Sequence, residues 1–191
     1  MQSSVIMCGR RLFAFELGGK PTDVKYPLRC DDPVLFLEHR EILQLKGPVP
    51  DGDYELPFGQ ARVAREGRDL TVVALARMVH ETLAVCDELE RDGISVEIID
   101  PRTVSPLDST TILQSVNKTG RLLIVDEPPA SYGFAAEIAA RVVADGFNDL
   151  DAPIRRLTGA FCPTPYSPSL ESAIVPQPSD IAQAIRALFR E

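Results

Sequence analysis

The chain has 191 residues, 45% apolar and 25% charged, enough for one packed core with accessory segments. Its net charge of −8 argues against nucleic acid and anionic membrane as main partners, because both repel an acidic surface, and leaves room for a basic protein partner. Four cysteines (Cys8, Cys30, Cys86 and Cys162) lie scattered, without CxxC spacing and with neither His39 nor His80 at ligand distance in sequence, which argues against zinc and for a reducing cytosol.

Three zones follow in chain order. Residues 1–33 read as irregular, with breakers at Gly18, Gly19, Pro21, Pro27 and Pro33. Arg10 and Arg11 follow the first apolar stretch, the wrong order for a secretory signal, and no apolar run is long enough to span a bilayer. Two arginines against one acid leave a mitochondrial presequence open. Residues 34–68 hold the apolar run VLFLEH and then a connector rich in Pro and Gly, with room for one or two edge strands.

From Asp69 the pattern becomes regular. DLTVVAL (69–75) is a continuous β-branched run, expected of a strand buried on both faces. VHETLAVCDELERDG follows as a helix, with Leu83, Val85, Cys86 and Leu89 on its apolar side and Gly93 at its end. SVEIIDP (95–101) is the second strand. SPLDSTTILQSVNKTG holds a helix that starts at the Asp108 cap and stops at Gly120. RLLIVDE (121–127) is the third strand, and YGFAAEIAARVVADGF an Ala-rich helix. APIRRLTG (152–159) is the fourth strand, and PSDIAQAIRALFRE a last helix capped by Ser179 or Asp180. Strands alternating with three-turn helices predict βαβ crossovers: a three-layer α/β fold with a mostly parallel five-stranded sheet and helices on both faces.

Ligands in such sheets sit beyond the C-terminal strand ends. Those ends carry Asp100 to Arg102, Asp126 with Glu127, and Thr158 to Phe161. VVALARMVHE has no glycine-rich turn, so a Rossmann cofactor site is rejected, and no Gly-Lys-Ser/Thr phosphate loop occurs. Asp100, Asp126 and Glu127 are either coupled acids or structural groups that cap helices or pair with Arg102 and Arg121. His80, near a helix start, is a base or a packing and interface residue; Glu38 and His39 have the same two readings. Ser131 lacks the G-x-S-x-G context of a nucleophile elbow. The proline-rich stretch FCPTPYSPSLESAIVP (161–176) exposes Phe161 and Tyr166 on stiff backbone that loses little entropy on docking, and its two readings are a protein interface and a plain crossover.

Seven stretches, DDPVLFLEH, DLTVVALARMVHETL, VEIIDPRTVSPLD, KTGRLLIVDE, GFAAEIAARV, LDAPIRRLTG and PTPYSPSLE, are collinear. In order and spacing they resemble the C-terminal half of the beta subunit of thiamine-diphosphate-dependent 2-oxo acid dehydrogenases of the pyruvate, branched-chain and acetoin types. The resemblance covers about residues 31–191, and transketolases carry a related C-terminal domain. It implies an α2β2 enzyme that decarboxylates a 2-oxo acid on thiamine diphosphate with Mg and passes the acyl group to lipoyl groups. It also implies that the cofactor lies between the alpha subunit and the N-terminal domain of beta. This chain would then bind no cofactor alone and hold no catalytic or metal residue; residues 1–33 would be a remnant of the missing domain, 34–68 a connector and 69–191 the transketolase-like domain. The implied partners are the alpha subunit, a second beta chain and a small basic subunit-binding domain of the acyltransferase core. Asp151 matches a position near that docking surface, and Glu38, His39, His80, Phe161 and Tyr166 complete the interface candidates. On this resemblance DPRTVSPLD is architecture. Its prolines stop the strand and Asp108 opens the next helix. The implied location is cytoplasmic, or the mitochondrial matrix in a eukaryote. The rival readings are a stand-alone interaction module, a small independent enzyme, and a fragment of transketolase or deoxyxylulose phosphate synthase type.

Overall fold

A computed structural model of the chain describes residues 5–8, 11–14, 39–43, 45–46 and 57–191. Near the start, β1 (Val5–Cys8) and β2 (Arg11–Ala14) form an antiparallel pair. Within the zone read as irregular, 1–33, these eight residues are strand instead, and the rest of it lies outside the described residues. Four-residue runs are too short to display a period.

The rest is a sheet of five strands: β3 (Arg62–Arg65), β4 (Leu70–Ala74), β5 (Val96–Asp100), β6 (Leu122–Pro129) and β7 (Arg155–Gly159). Their spatial order is β3-β5-β4-β6-β7. β3, the edge strand expected in the connector, runs antiparallel to β5; every other pairing is parallel. The long helices are α1 (Arg77–Arg91), α2 (Ser109–Thr119), α3 (Phe134–Gly146) and α5 (Pro178–Phe189), with a short α4 (Pro168–Ile174) before the last.

Alternation along the strands splits the apolar residues between two cores. Val72, Ile98, Leu123 and Val125 pack with α1 and α5 through Met78, Leu89, Ile181, Ile185 and Leu188. Val73, Ile99, Leu122 and Ile124 pack with α2 and α3 through Ile112, Val116, Ile138 and Val142. The result is the expected three-layer sandwich. Because β4 and β5 are buried at every position, they read as continuous apolar runs.

Two polar residues inside the sheet, Glu97 and Thr71, are held by α2. The buried Glu97 on β5 accepts hydrogen bonds from Ser115 Oγ (2.6 Å) and the Gly67 amide (3.2 Å) and is ion-paired with Lys118. Burial works against its charge, but Lys118, Ser115 and Gly67 prevail and lower its pKa. Thr71 on β4 bonds Ser115 and Thr119, both at 2.7 Å, so α2 is bolted to the middle of the sheet.

The helix ends follow their sequence signals with one exception. Asp108 caps α2, accepting from the Thr111 amide at 3.1 Å, and its second oxygen accepts from the Ala61 amide at 2.9 Å and the Thr111 hydroxyl at 2.7 Å. Gly120 ends α2 in the left-handed conformation. At α5 the cap is Gln177, not Ser179 or Asp180; Asp180 is the third helical residue and accepts from the Gln177 amide at 2.9 Å, completing a capping box.

Asp108→Ala is expected to lower unfolding stability by about 2 kcal/mol at pH 7, the upper end for a lost cap, because the Ala61 tie to the β3 approach goes too. Burial raises its pKa, but the Thr111 and Ala61 bonds outweigh it, so the folded-state value is depressed. The contribution is therefore present above the unfolded value near ~3.9 and lost as pH falls through the lower folded one. Urea unfolding at pH 7 and pH 3 checks both the magnitude and its fading in acid.

Candidate functional site

The same alternation decides which way each strand-end acid points. On β5, Ile98 faces the α1 and α5 core, so Asp100 does too. On β6, Ile124 and then Asp126 face α2 and α3, while Val125 and then Glu127 face α1. Asp126 and Glu127 are thus on opposite sides of the sheet. Asp100 is removed from Asp126 by the width of β4, roughly 10 Å between β5 and β6. A coupling of all three carboxylates does not fit this geometry; the charge of Glu127 adds a minor upward push on Asp126, its chain neighbour.

Each acid has its own setting. Asp100 is ion-paired with Arg62 of β3 at 3.0 Å and accepts the Arg102 amide at 3.2 Å; burial raises its pKa, and Arg62 and Arg102 oppose the rise. The partner is therefore Arg62, on a neighbouring strand, with Arg102 assisting through backbone and charge. Asp126 is buried and pushed up to about 7 by burial, against the amides of Ala135 and Glu127 that favour its charge. Its contact with Ala135 makes it an auxiliary cap of α3, one of the structural roles expected for it. Its Oδ2 is buried with no hydrogen-bond partner among the described residues.

Glu127 Oε2 accepts from His39 Nε2 at 2.8 Å, joining groups 88 positions apart in sequence. Around them lies a crevice of about 280 Å³ lined by His39, Arg40, Glu41, Arg77, Glu127, Thr164, Glu171, Ile174 and Val175. Arg77 begins α1 and bonds Glu81 at 2.8 Å. Burial opposes its charge, but Glu81, Glu127 and Glu41 raise its pKa and hold it cationic. The residue before it, Ala76, has φ +47°, a conformation costly for a residue with a Cβ. Arg102 (φ +58°) and Tyr132 (φ +59°) show the same feature in the loops leaving β5 and β6. All three positive-φ non-glycine residues among the described residues thus sit at the C-terminal edge of the sheet.

Of the residues singled out from sequence, Glu38 lies outside the described residues. His39 is only 7% exposed and turned onto Glu127. His80, on α1, is half-buried; burial lowers its pKa, with Asp100 and Arg62 acting on it in opposite directions. No serine or cysteine contact of His80 places it in a nucleophile pair among the described residues. Phe161 and Tyr166 are almost wholly exposed, with Tyr132 and Leu170 also exposed at that edge. Asp151 sits at the opposite end of the sheet, its amide bonded to the Gly120 carbonyl at 2.7 Å, beside the exposed Val143 and Phe147. Its neighbour Arg155 is occupied with Glu191 at 2.5 Å.

Sequence reasoning missed Arg40, Arg77 and Glu171. Arg77 was signalled by its place directly after a strand end. Glu171 was hidden in a proline-rich run whose Ser167-Pro168 start and following acid are helix-opening signals. Among the described residues no group of three or more His, Cys, Asp or Glu could hold a metal, and no helix is long and apolar enough to cross a membrane.

The fold and site define a doubly wound α/β domain with a polar crevice at its strand ends and exposed aromatic residues around that edge. Residues 59–181 match the family of the transketolase C-terminal domain. The chain is 42% identical over 163 residues to the beta subunit of acetoin:2,6-dichlorophenolindophenol oxidoreductase from Cupriavidus necator, covering 85% of this chain and 48% of that protein. It is 42% identical over 167 residues to the 2-oxoisovalerate dehydrogenase beta subunit of Bacillus subtilis, covering 86% of this chain and 51% of that one. The match to the mitochondrial pyruvate dehydrogenase E1 component subunit beta-2 of Oryza sativa subsp. japonica is also 42% identical, over 172 residues, covering 87% and 46%. A solved structure, a split-gene transketolase in an inactive beta4 tetramer, superposes with a TM-score of 0.63 at 21% identity, covering 75% of this chain and 46% of that chain; it shows the shared fold. The chain belongs to the transketolase C-terminal domain family, and its curated relatives include 2-oxo acid dehydrogenase beta subunits. It spans about half the length of those relatives.

Proposed function

We propose that this chain acts as the C-terminal assembly domain of a 2-oxo acid dehydrogenase beta subunit. The observation that carries this reading is that relatives with three different names, acetoin, 2-oxoisovalerate and pyruvate, are all beta subunits at the same 42% identity. In the full enzyme a 2-oxo acid is decarboxylated on thiamine diphosphate with Mg and the acyl group passes to lipoyl groups. The domain supports that reaction by holding subunits together. Its partners are the alpha subunit, a second beta chain, and a basic subunit-binding domain of the acyltransferase, the last favoured by the net charge of −8. The exposed Phe161, Tyr166, Tyr132 and Leu170 are the apolar surface such contacts use, and Asp151 belongs to a second contact beside Val143 and Phe147. The location that goes with this role is the cytoplasm, or the mitochondrial matrix in a eukaryote.

The crevice residues do not fit thiamine diphosphate. Glu41, Glu127 and Glu171 would face a diphosphate, and about 280 Å³ is below the usual range for a ligand of that size.

Co-expression of the tagged chain with an alpha subunit of the branched-chain, pyruvate or acetoin enzyme is expected to recover both on affinity purification. Double substitution Phe161→Ser and Tyr166→Ser, both at exposed positions, is expected to reduce recovery at least about tenfold while leaving the unfolding transition unchanged. Failure to recover any alpha subunit overturns the reading, as does saturable binding of thiamine diphosphate and Mg by the chain alone in isothermal titration.

A further inference from the structure

The crevice beside His39 occupies a special place in the topology. β4 connects through α1 to β5 on one side, while β6 lies on the other side of β4. The chain therefore leaves the C-terminal ends of β4 and β6 in opposite directions, and the gap between them is the switch point at which doubly wound sheets bind ligands. Arg77 follows β4 directly and Glu127 lies near the end of β6, so the crevice sits over that gap.

Two further observations mark it as built for a guest. His39 is more than nine-tenths buried, and while its Nε2 is bonded to Glu127, its Nδ1 has no hydrogen-bond partner among the described residues. The strained backbone of Ala76 sets Arg77 at the lip of the crevice.

The lining selects the ligand. Arg40 and Arg77 supply positive charge, Glu41, Glu127 and Glu171 negative charge, and Ile174 with Val175 an apolar wall. A plain carboxylate or phosphate would meet three carboxylates, and a plain amine two guanidinium groups. A molecule carrying both charges a few ångströms apart satisfies both sets without repulsion. The start of α1 has no acidic residue in its first turn, so the helix dipole adds to the attraction for the carboxylate. The volume, about 280 Å³, lies at the small end for ligand sites. We propose that this crevice binds a free α-amino acid with an apolar side chain: carboxylate toward Arg40 and Arg77, ammonium toward Glu127 and Glu171, side chain against Ile174 and Val175. The inference is independent of the subunit role, since it rests on the crevice alone.

The test is a titration of the whole chain with L-leucine, followed by ¹H–¹⁵N correlation spectra. Saturable shifts are expected at residues 39–41, 77–79, 127 and 171–175, with Kd of about 1 mM or tighter. Two probes each lack one charge: 4-methyl-2-oxopentanoate lacks the ammonium and 3-methylbutylamine lacks the carboxylate. Each is expected to bind at least about tenfold more weakly. Arg40→Ala and Glu171→Gln, both at exposed positions, are expected to weaken L-leucine at least about tenfold with unchanged unfolding curves. Absence of saturable shifts at about 20 mM L-leucine overturns the proposal. So does equal or tighter binding of either single-charge probe, or indifference of Kd to both substitutions.

Discussion

Asp126→Asn is expected to stabilise the protein at pH 8 by about 2 kcal/mol and to destabilise it by about 2 kcal/mol at pH 4. The carboxyl is 3% exposed, its Oδ2 has no partner among the described residues, and burial raises its pKa to about 7. In the unfolded chain the value is near ~3.9. A carboxyl whose folded pKa is raised favours the folded state while it is protonated. Its penalty is absent below about pH 4, grows as pH rises from about 4 to about 7, and is constant above. The full span of that window corresponds to at most about 4 kcal/mol. Asparagine keeps an oxygen for the Ala135 and Glu127 amides and is neutral at every pH, but it buries an amide NH₂ where Oδ2 now stands. That cost, about 2 kcal/mol at every pH, brings the expected gain at pH 8 to about 2 kcal/mol and stands alone as a loss at pH 4. Asp100, also raised by burial, is present in both proteins, so its own pH dependence cancels in the difference. Urea unfolding at pH 4, 6 and 8 gives the comparison. A difference that does not change with pH would show that Asp126 is ionised throughout and solvated by something other than the groups around it.

Asp126 also shows what a sequence can and cannot convey. The β-branched runs at 70–74 and 96–100 were legible because strands buried on both faces carry no polar alternation, and Asp108 and Gly120 were legible because capping is a local chemistry. The layer count and the parallel sheet followed from the alternation of those elements. The pairings of the strand-end acids were not legible. Glu127 meets His39 across 88 positions and Asp100 meets Arg62 across 38. Nothing local in either sequence announces the other; only the strand order brings them together. The face each acid takes was in principle recoverable from the period of two, once β6 was known to place Val125 inward toward α1. Helix α4 was hidden for a different reason: seven residues give less than two full periods, and the surrounding prolines spoke louder than the Ser-Pro start. The crevice inherits both difficulties, since its lining comes from four separate segments, one of them that short helix.

Gly159→Ala is expected to cost at least about 3 kcal/mol, and Gly93→Ala only about 1 kcal/mol, although Gly93 is the one with the unfavourable backbone angle. At Gly93, φ is +81° and an added methyl meets nothing within 4 Å. The substitution there adds only the strain of a left-handed alanine after α1, where the Gly93 and Ile94 amides close the helix on Glu90 and Leu89. At Gly159 a Cβ would lie 2.1 Å from the Glu127 carbonyl oxygen and 3.2 Å from that of Ile174. Both obstacles are backbone, and neither can rotate away as a side chain would. Relief requires β7 to part from β6 beyond Asp126, where the register already shifts before Pro129 pairs with Gly159. Moving Glu127 also moves the acceptor of His39 and one wall of the crevice. The variant should therefore lose stability in urea unfolding and shift the amide resonances of residues 39–41 and 127, which Gly93→Ala should leave in place. A Gly159→Ala protein within about 1 kcal/mol of the original would mean that β7 yields without strain at this point. The close approach of β7 to Glu127 would then not be what fixes the strand-end geometry.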